Sequence, residues 1–537
     1  MVRILSLLST GLFSVLLLGG ACTVQGEGQP PKADDQGSGG EGGDQGDGGR
    51  DATDDPSEST DSTGEGGTAA PSSGDGDESG DGNGNGTGGS EPLHVTIQLG
   101  QVKQTIAGFG MADSELLEEE ADALFGQEQG QIALSILRIA MDSNGQPTRD
   151  DLTWVAVEQA KARGVQTFIA TVTSPPGVCK SNAEVNNGGQ LIQECFELWS
   201  NGIAAFPTLV KDETGVDLLA ISPQNEPDFA SCGDAEPCNG SFPSAVFTGG
   251  DYVAFLKVVA PKLKANDPPV AVIGGEPSQW GRLWSDASAT GSEPSNLPSP
   301  DPFNCGIPPT LCDPTDPKDG YDYGHALAGD PELWSAIDML GTHQYDSQKA
   351  TPWPSDVTDK KPVWMTEMSG RKWWPEQGPS NHIENGVAVA KWIHDALTVG
   401  EASAWLWAGY RSVLDDNGGL VAPDGSPTKR KWTLGNYSKF VRPGYKRVQV
   451  QGNAPAALLV SAFKDSQGNL AVVVINEGSA EISLPFSIAG GTAPTALTPY
   501  VTSQTDDLAE QTRLLVADGY FTATFPALSV TTLSGRH

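Results

Sequence analysis

The sequence predicts an α/β protein, a (β/α)8 TIM barrel with a fused all-β sandwich beside it. Three observations lead there. From about residue 104 onward, continuous apolar runs ending in polar or Gly/Pro residues alternate with helical stretches. Such runs read as parallel strands covered on both faces, and eight of them close a barrel. After the eighth run the pattern shifts to short strands with turn residues between them, as in a sandwich. An open doubly wound sheet is the alternative, but no G-x-G-x-x-G turn supports it.

Taken in order, residues 1–21 read as a signal peptide: Arg3, an apolar core too short to span a membrane, then small residues. Leu18-Gly19-Gly20-Ala21-Cys22 resembles a bacterial lipoprotein box. That implies a lipid on Cys22 and an extracytoplasmic protein whose only membrane contact is this lipid. Residues 22–92 are almost entirely Gly, Asp, Glu, Ser, Thr, Pro and Asn, with Lys32 and Arg50 as the only cations. They bury too little apolar surface to offset chain entropy, so a disordered tether spanning roughly 45 Å is expected. Within it, DGDESGDGNGNG (75–86) lacks the final bidentate glutamate of a calcium loop and reads as spacer. Residues 93–103, opening with LHVTIQLG, read as a strand that joins the sandwich from the other end of the barrel.

The barrel is expected over 104–436. Its runs are QTIAGFG (104–110), SILRIAM (135–141), VQTFIATVTSPP (165–176) and DLLAISPQNEP (217–227). PVAVIGGEP (269–277), IDMLGTHQYD (337–346), PVWMTEMSG (362–370) and SAWLWAGY (403–410) complete the set. Between them, 150–164 and 251–266 have helical periodicity. The sandwich is expected over 437–537, with LLVSAFKD, NLAVVVINE, EISLPFSI and YFTATFPALSVTTLSG as strands.

The formal charge of −37 argues against nucleic acid as a partner. With Cys22 lipidated, six of the seven cysteines remain, as sequence neighbours Cys179/Cys195, Cys232/Cys238 and Cys305/Cys312. Three local disulfides are expected in an oxidising compartment. A zinc site is the rival, but there is no Cys-x2-Cys pair and no nearby His pair. No metal or other cofactor is expected, and the protein is expected to act as a monomer.

Glu226 ends the fourth run and Glu367 the seventh, which places both at the same rim of the barrel. Glycoside hydrolysis needs two such carboxylates. One stays protonated and gives its proton to the leaving oxygen; the other attacks the anomeric carbon or activates water. A strand-end glutamate alone can equally cap a helix or form an ion pair. Here Asn225 stands beside one, and aromatic residues (Tyr345, Trp405, Trp407) end neighbouring strands, with Trp280, Trp373 and Trp374 in adjoining loops. Indole stacks on the apolar face of a sugar ring. A serine hydrolase would want a G-x-S-x-G elbow and a metallohydrolase a His cluster; neither occurs.

QTIAGFG, SPPGVCKSN (174–182), ISPQNEPD, WMTE and SKFVRPGY (438–445) together resemble glycoside hydrolase family 30. The resemblance runs over about 93–537 and implies a β-sandwich beside the barrel. It implies Glu226 as acid/base, Glu367 as nucleophile and retention of configuration, with no cofactor. Asn225 would bind the sugar 2-hydroxyl, Arg138 would hold the nucleophile ionised, and Tyr345 would hydrogen-bond near Glu367. Within the family the motifs are most similar to bacterial endo-β-1,4-xylanases, several of which recognise glucuronic acid branches. Two departures stand out. Met368-Ser369-Gly370 follow the nucleophile where an aromatic and a His are usual, and Asp415 and Asp416 lie near Arg411, the candidate reader of a uronate. Endo-β-1,6-galactanase or β-1,6-glucanase is the alternative within the family. A surface carbohydrate-binding protein without turnover is the alternative outside enzymes.

Overall fold

The eight apolar runs fold as eight parallel strands that close on themselves. The computed structural model describes residues 92–112, 116–149, 151–230, 242–285, 320–345, 349–370, 381–411 and 417–536. Cys22 and the tether lie outside these, as do Cys232, Cys238, Cys305, Cys312, Trp373, Trp374, Asp415 and Asp416. After a first strand β1 (His94–Thr105), the barrel consists of β2 (Gly108–Ala112), β3 (Ile136–Met141), β4 (Thr167–Val172) and β5 (Ala220–Ser222). It continues with β6 (Ala271–Gly275), β7 (Met339–His343), β8 (Val363–Glu367) and β9 (Ala402–Ala408), and β9 pairs with β2.

A strand alternates its side chains between two faces. Ile136, Ile169, Ala220, Ile273, Met339, Trp364, Ala404 and Leu406, drawn from β3 to β9, form one apolar cluster that fills the barrel's interior. Their outward neighbours, such as Leu137, Phe168, Val272 and Leu340, belong to the larger core under the helices. Two residues further along the inward face come Arg138, Thr171 and Ser222, so the polar layer begins directly above a dry floor.

The covering helices are α1 (Glu118–Phe125), α2 (Asp151–Ala162), α3 (Phe196–Thr214) and α4 (Gly249–Lys264), then α5 (Tyr323–Ala328), α6 (Pro331–Ala336), α7 (Ile383–Thr398) and α8 (Lys429–Ser438). Local signals set their ends. Thr248 Oγ1 accepts the Asp251 N–H at 3.2 Å to start α4. Gly215, at φ +66, ends α3 in the left-handed conformation that glycine adopts freely.

The β-module holds β10 (Lys446–Asn453), β11 (Leu458–Lys464), β12 (Leu470–Asn476), β13 (Ile482–Ala489) and β14 (Ala496–Thr502). Beyond these come β15 (Ala509–Glu510), β16 (Leu514–Leu515), β17 (Tyr520–Phe525) and β18 (Ser529–Gly535). β1 lies between β10, antiparallel, and β13, parallel, so the strand that precedes the barrel completes the domain that follows it. Val95, Ile97 and Leu99 of β1 meet Val472, Val474, Phe486 and Leu533 in the module's own core. β12 is buried on both faces. Its other face, Ala471, Val473 and Ile475, joins the barrel's core beneath α7. Asn436 of α8 pins the junction with bonds to Thr502 Oγ1 at 2.7 Å and to Thr532 Oγ1 at 3.1 Å. The module therefore buttresses the barrel.

Candidate active site

Arg138, on the inward face of β3, is the hub of the polar layer. Its Nη1 donates to Glu367 Oε2 at 2.9 Å, and its Nη2 to Asn225 Oδ1 at 2.6 Å and Glu276 Oε1 at 3.2 Å. Tyr345, just past β7, donates its hydroxyl to Glu367 Oε1 at 3.0 Å. Both oxygens of Glu367 are thus held. Strand parity alone would not aim Glu367 inward, because Thr366 follows Trp364 on that face. A register shift supplies the change: Thr342 pairs with Met365, yet His343 pairs with Glu367, and the extra residue in β8 re-aims the side chain.

Glu226 lies four residues beyond β5 at φ +44, a left-handed conformation that a non-glycine residue adopts only when its surroundings impose it. The surroundings are visible. Its N–H donates to the Glu276 carbonyl at 3.1 Å, and the Asn225 N–H to Val172 O at 2.7 Å. Two residues on, the buried Asp228 carboxylate accepts from Ser278 N and Ser278 Oγ, both at 2.7 Å, and from Arg282 Nη1 at 3.0 Å. The two prolines of SPQNEPD therefore frame a loop locked at both ends.

Five of the residues anticipated from sequence come together: Arg138, Asn225, Glu226, Tyr345 and Glu367. Two more belong with them and were not singled out. His343 Nδ1 lies 2.9 Å from Glu226 Oε1, and its Nε2 lies 3.9 Å from Glu367 Oε2. Glu276, fully buried, accepts from Thr171 Oγ1 at 2.6 Å. Both are polar residues at the ends of barrel strands, the signal that marked Glu226 and Glu367.

Three expectations need correction. Trp405 and Trp407 are fully buried and present no face for stacking. They lie on the outward face of β9 beside Phe109 and Met111, since Ala404 and Leu406 take the inward one. Their indole N–H groups donate to Gln344 Oε1 at 3.2 Å and Gly418 O at 3.1 Å. Trp280 is also buried. Arg411 is half exposed, but its Nη2 is paired with Glu120 Oε1 at 2.6 Å, a partner not foreseen. Cys179 and Cys195 are joined. Next to that bridge, Lys180 Nζ donates to Ser174 Oγ at 3.1 Å and Val185 O at 2.8 Å, fixing the loop after β4.

The two carboxyls have opposite environments. Burial works to raise Glu367, but His343, Arg138 and Tyr345 outweigh it and hold the group down at about 2. Burial also raises Glu226; His343 opposes it, and Glu367 and Asp228 add to it, leaving the group above its ordinary value. One oxygen of each and a His343 nitrogen lie within 4.8 Å of one another. With Arg138 and Tyr345 already on Glu367, this cluster is suited to hold protons rather than a cation. One carboxylate kept ionised and one kept protonated can act as nucleophile and acid on a single bond.

Residues 444–533 match the glycosyl hydrolase family 30 beta sandwich domain. Along its length the chain is similar to a glucuronoxylanase of Bacillus subtilis (strain 168), 27% identical over 455 residues, covering 82% of this chain and 90% of that protein. Its fold is similar to that of a family 30 endoxylanase from Clostridium papyrosolvens C71, with a TM-score of 0.63 and 24% identity, over 83% of this chain and all of that one. The subfamily 8 xylanase of Clostridium acetobutylicum gives a TM-score of 0.65 at 24% identity, again over 83% of this chain and all of that one.

Proposed function

From a chain that resembles glycoside hydrolase family 30 in both its barrel and its sandwich, we propose a retaining glycoside hydrolase that cuts β-1,4-xylan by double displacement. The observation that carries the mechanism is the spacing of the two carboxyls. One oxygen of Glu226 and one of Glu367 lie within 4.8 Å of each other, nearer the roughly 5 Å carboxyl spacing of retaining enzymes than the roughly 6.5–9.5 Å of inverting ones.

Glu367 attacks the anomeric carbon as Glu226 passes its proton to the glycosidic oxygen, and the alcohol leaves. Water then gives a proton to Glu226 and its hydroxyl to the anomeric carbon, releasing Glu367. Because Arg138 takes Asn225 Oδ1, the amide nitrogen is left to donate to the sugar 2-hydroxyl.

Support for xylan comes from the sequence motifs and from the relatives. Uronate reading by Arg411 has weaker support, since Glu120 already pairs with it. The test is incubation of the purified protein with glucuronoxylan, arabinoxylan, β-1,6-galactan and β-1,6-glucan, with products sized by mass spectrometry. Xylo-oligosaccharides from both xylans are expected. Cleavage of glucuronoxylan alone would mean that the branch is read and make Arg411 the next residue to mutate. A β-1,6 product overturns the substrate and keeps the mechanism; binding without cleavage favours the carbohydrate-binding reading.

We further propose that the protein sits outside the cytoplasm on a lipid at Cys22, supported by the small-residue run before that cysteine. An alkyne-tagged fatty acid fed to an expressing bacterium is expected to label the protein and not Cys22→Ala. Equal labelling of both would sink the proposal.

A further inference from the structure

Glu276 is a third carboxylate beneath the catalytic pair, and neither displacement step uses it. It is fully buried and sits at φ +71, directly after Gly275 at φ +86. Two consecutive left-handed residues swing its side chain back over the barrel interior. Gly341 leaves the space: a Cβ there would stand 3.2 Å from that of Glu276. Glu276 Oε2 takes the Thr171 hydroxyl, and Oε1 takes Arg138 Nη2 and lies 4.0 Å from His343 Nε2.

The charges in this layer do not balance on Arg138 alone. One guanidinium faces two carboxylates, Glu276 and Glu367. His343 touches the same pair: its Nε2, with no hydrogen-bond partner, lies 4.0 Å from one and 3.9 Å from the other. Among the described residues, the charged and titratable groups around His343 are Glu226 after β5, Glu276 after β6, Glu367 on β8 and Tyr345, whose ring lies 5.9 Å away, with Arg138 on β3 bound to the same Glu276 and Glu367.

Whether Nδ1 of this imidazole bears a hydrogen decides where the catalytic proton sits, and a doubly protonated ring is the state that always does. A neutral ring carries one hydrogen on either nitrogen, and the tautomer that places it on Nε2 faces the two carboxylates, 4.0 and 3.9 Å away. In that tautomer Nδ1 is a bare acceptor and draws the Glu226 proton onto Oε1, leaving Oε2 without it. A doubly protonated ring donates Nδ1–H to Oε1, so the proton of Glu226 must occupy Oε2, which no hydrogen bond ties down among the described residues.

We propose that Glu276 is a positioning residue: a fixed anion that keeps His343 doubly protonated and so directs the proton of Glu226 to its free oxygen. The fixed charge matters most once Glu367 is esterified and has lost its own. Glu276 then remains to hold His343 charged, and His343 steadies Glu226 as the carboxylate that activates water. In agreement, burial works to lower the His343 pKa, yet Glu367, Glu226 and Glu276 outweigh it and raise it.

This inference rests on the retaining-hydrolase reading, and two measurements separate their fates. The first follows imidazole nitrogens by NMR in the wild type, Glu276→Gln and Glu276→Asp, with His343→Gln to assign the signal. In Glu276→Gln the His343 signal is expected to titrate about one pH unit lower or more, and Glu276→Asp, which keeps the anion, to stay nearer the wild type. The second compares aryl xylobiosides. Glu276→Gln is expected to lose about 30-fold or more in kcat/KM for a phenyl leaving group, which needs the acid, and under about threefold for 2,4-dinitrophenyl, which does not. An unmoved imidazole titration, or equal losses on both substrates, overturns the proposal. If the wild type cleaves no glycoside, the hydrolase reading falls and the imidazole titration alone decides the role of Glu276.

Discussion

Glu367→Ala is expected to lower kcat by a factor on the order of 10^5, and azide to restore turnover with an α-glycosyl azide as product. Azide fits the space of the deleted carboxylate and attacks the anomeric carbon from that side. Glu226→Ala separates the two roles. In kcat/KM it should lose about 10^2- to 10^4-fold with poor leaving groups and little with 2,4-dinitrophenyl, and azide should speed the second step and give the β-glycosyl azide. In the wild type, NMR should show the β-anomer forming first; an α-anomer would show inversion and sink the double displacement. The pH profile follows from the same two groups. The nucleophile must be ionised, so the acid limb lies near about 2, where Glu367 takes up its proton. The acid must be protonated, so activity falls as pH rises through the elevated pKa of Glu226.

The barrel was legible because each of its strands is a continuous apolar run, and both faces of a parallel strand are covered. That property also hid which residues face inward. SAWLWAGY carries apolar residues on both faces, so nothing local shows that Ala404 and Leu406 take the interior and Trp405 and Trp407 the helix side. Glu226 and Glu367 could be found from strand ends and from family resemblance. The geometry that aims them could not: one depends on φ +44 and the other on a register shift in β8. Glu276 has the same local signature as Glu226, a glutamate before proline at a strand end. It has no Asn beside it and continues the apolar run PVAVIGGEP, so nothing local sets it apart. Asp415 and Asp416 are the acidic neighbours of Arg411 in sequence, whereas its partner Glu120 stands 291 positions away. Charge pairing across a closed barrel leaves no periodic trace in the chain.

Arg138→Met is expected to be the most destabilising single change in the cleft, and its cost should depend on pH. The side chain is 4% exposed and has acceptors in Glu367, Asn225 and Glu276, the last wholly buried. Removing one partner of a buried pair costs about 3–5 kcal/mol, because among the described residues the carboxylates left behind keep only the Thr171 and Tyr345 hydroxyls and the His343 ring about 4 Å away. In the wild type Glu367 is depressed to about 2 against an ordinary 4.5. Its contribution to stability is therefore complete above its unfolded pKa and lost as pH falls through about 2. Without Arg138 a main support of that depression is gone, while burial, which works the other way, remains, so the Glu367 pKa must climb. The variant then gains from protonating carboxyls that the wild type holds ionised. The difference in Tm should be widest near neutral pH and narrow as pH falls below about 4. Calorimetry across that range decides it; a constant difference would mean that Arg138 matters for packing and not for charge. The nucleophile should report the same change, with the acid limb of kcat/KM moving to higher pH as Glu367 loses its guanidinium. Arg138→Lys supplies the remaining contrast. A point charge can compensate one carboxylate but cannot fork to Glu367, Asn225 and Glu276 together, so stability should return in part and activity much less.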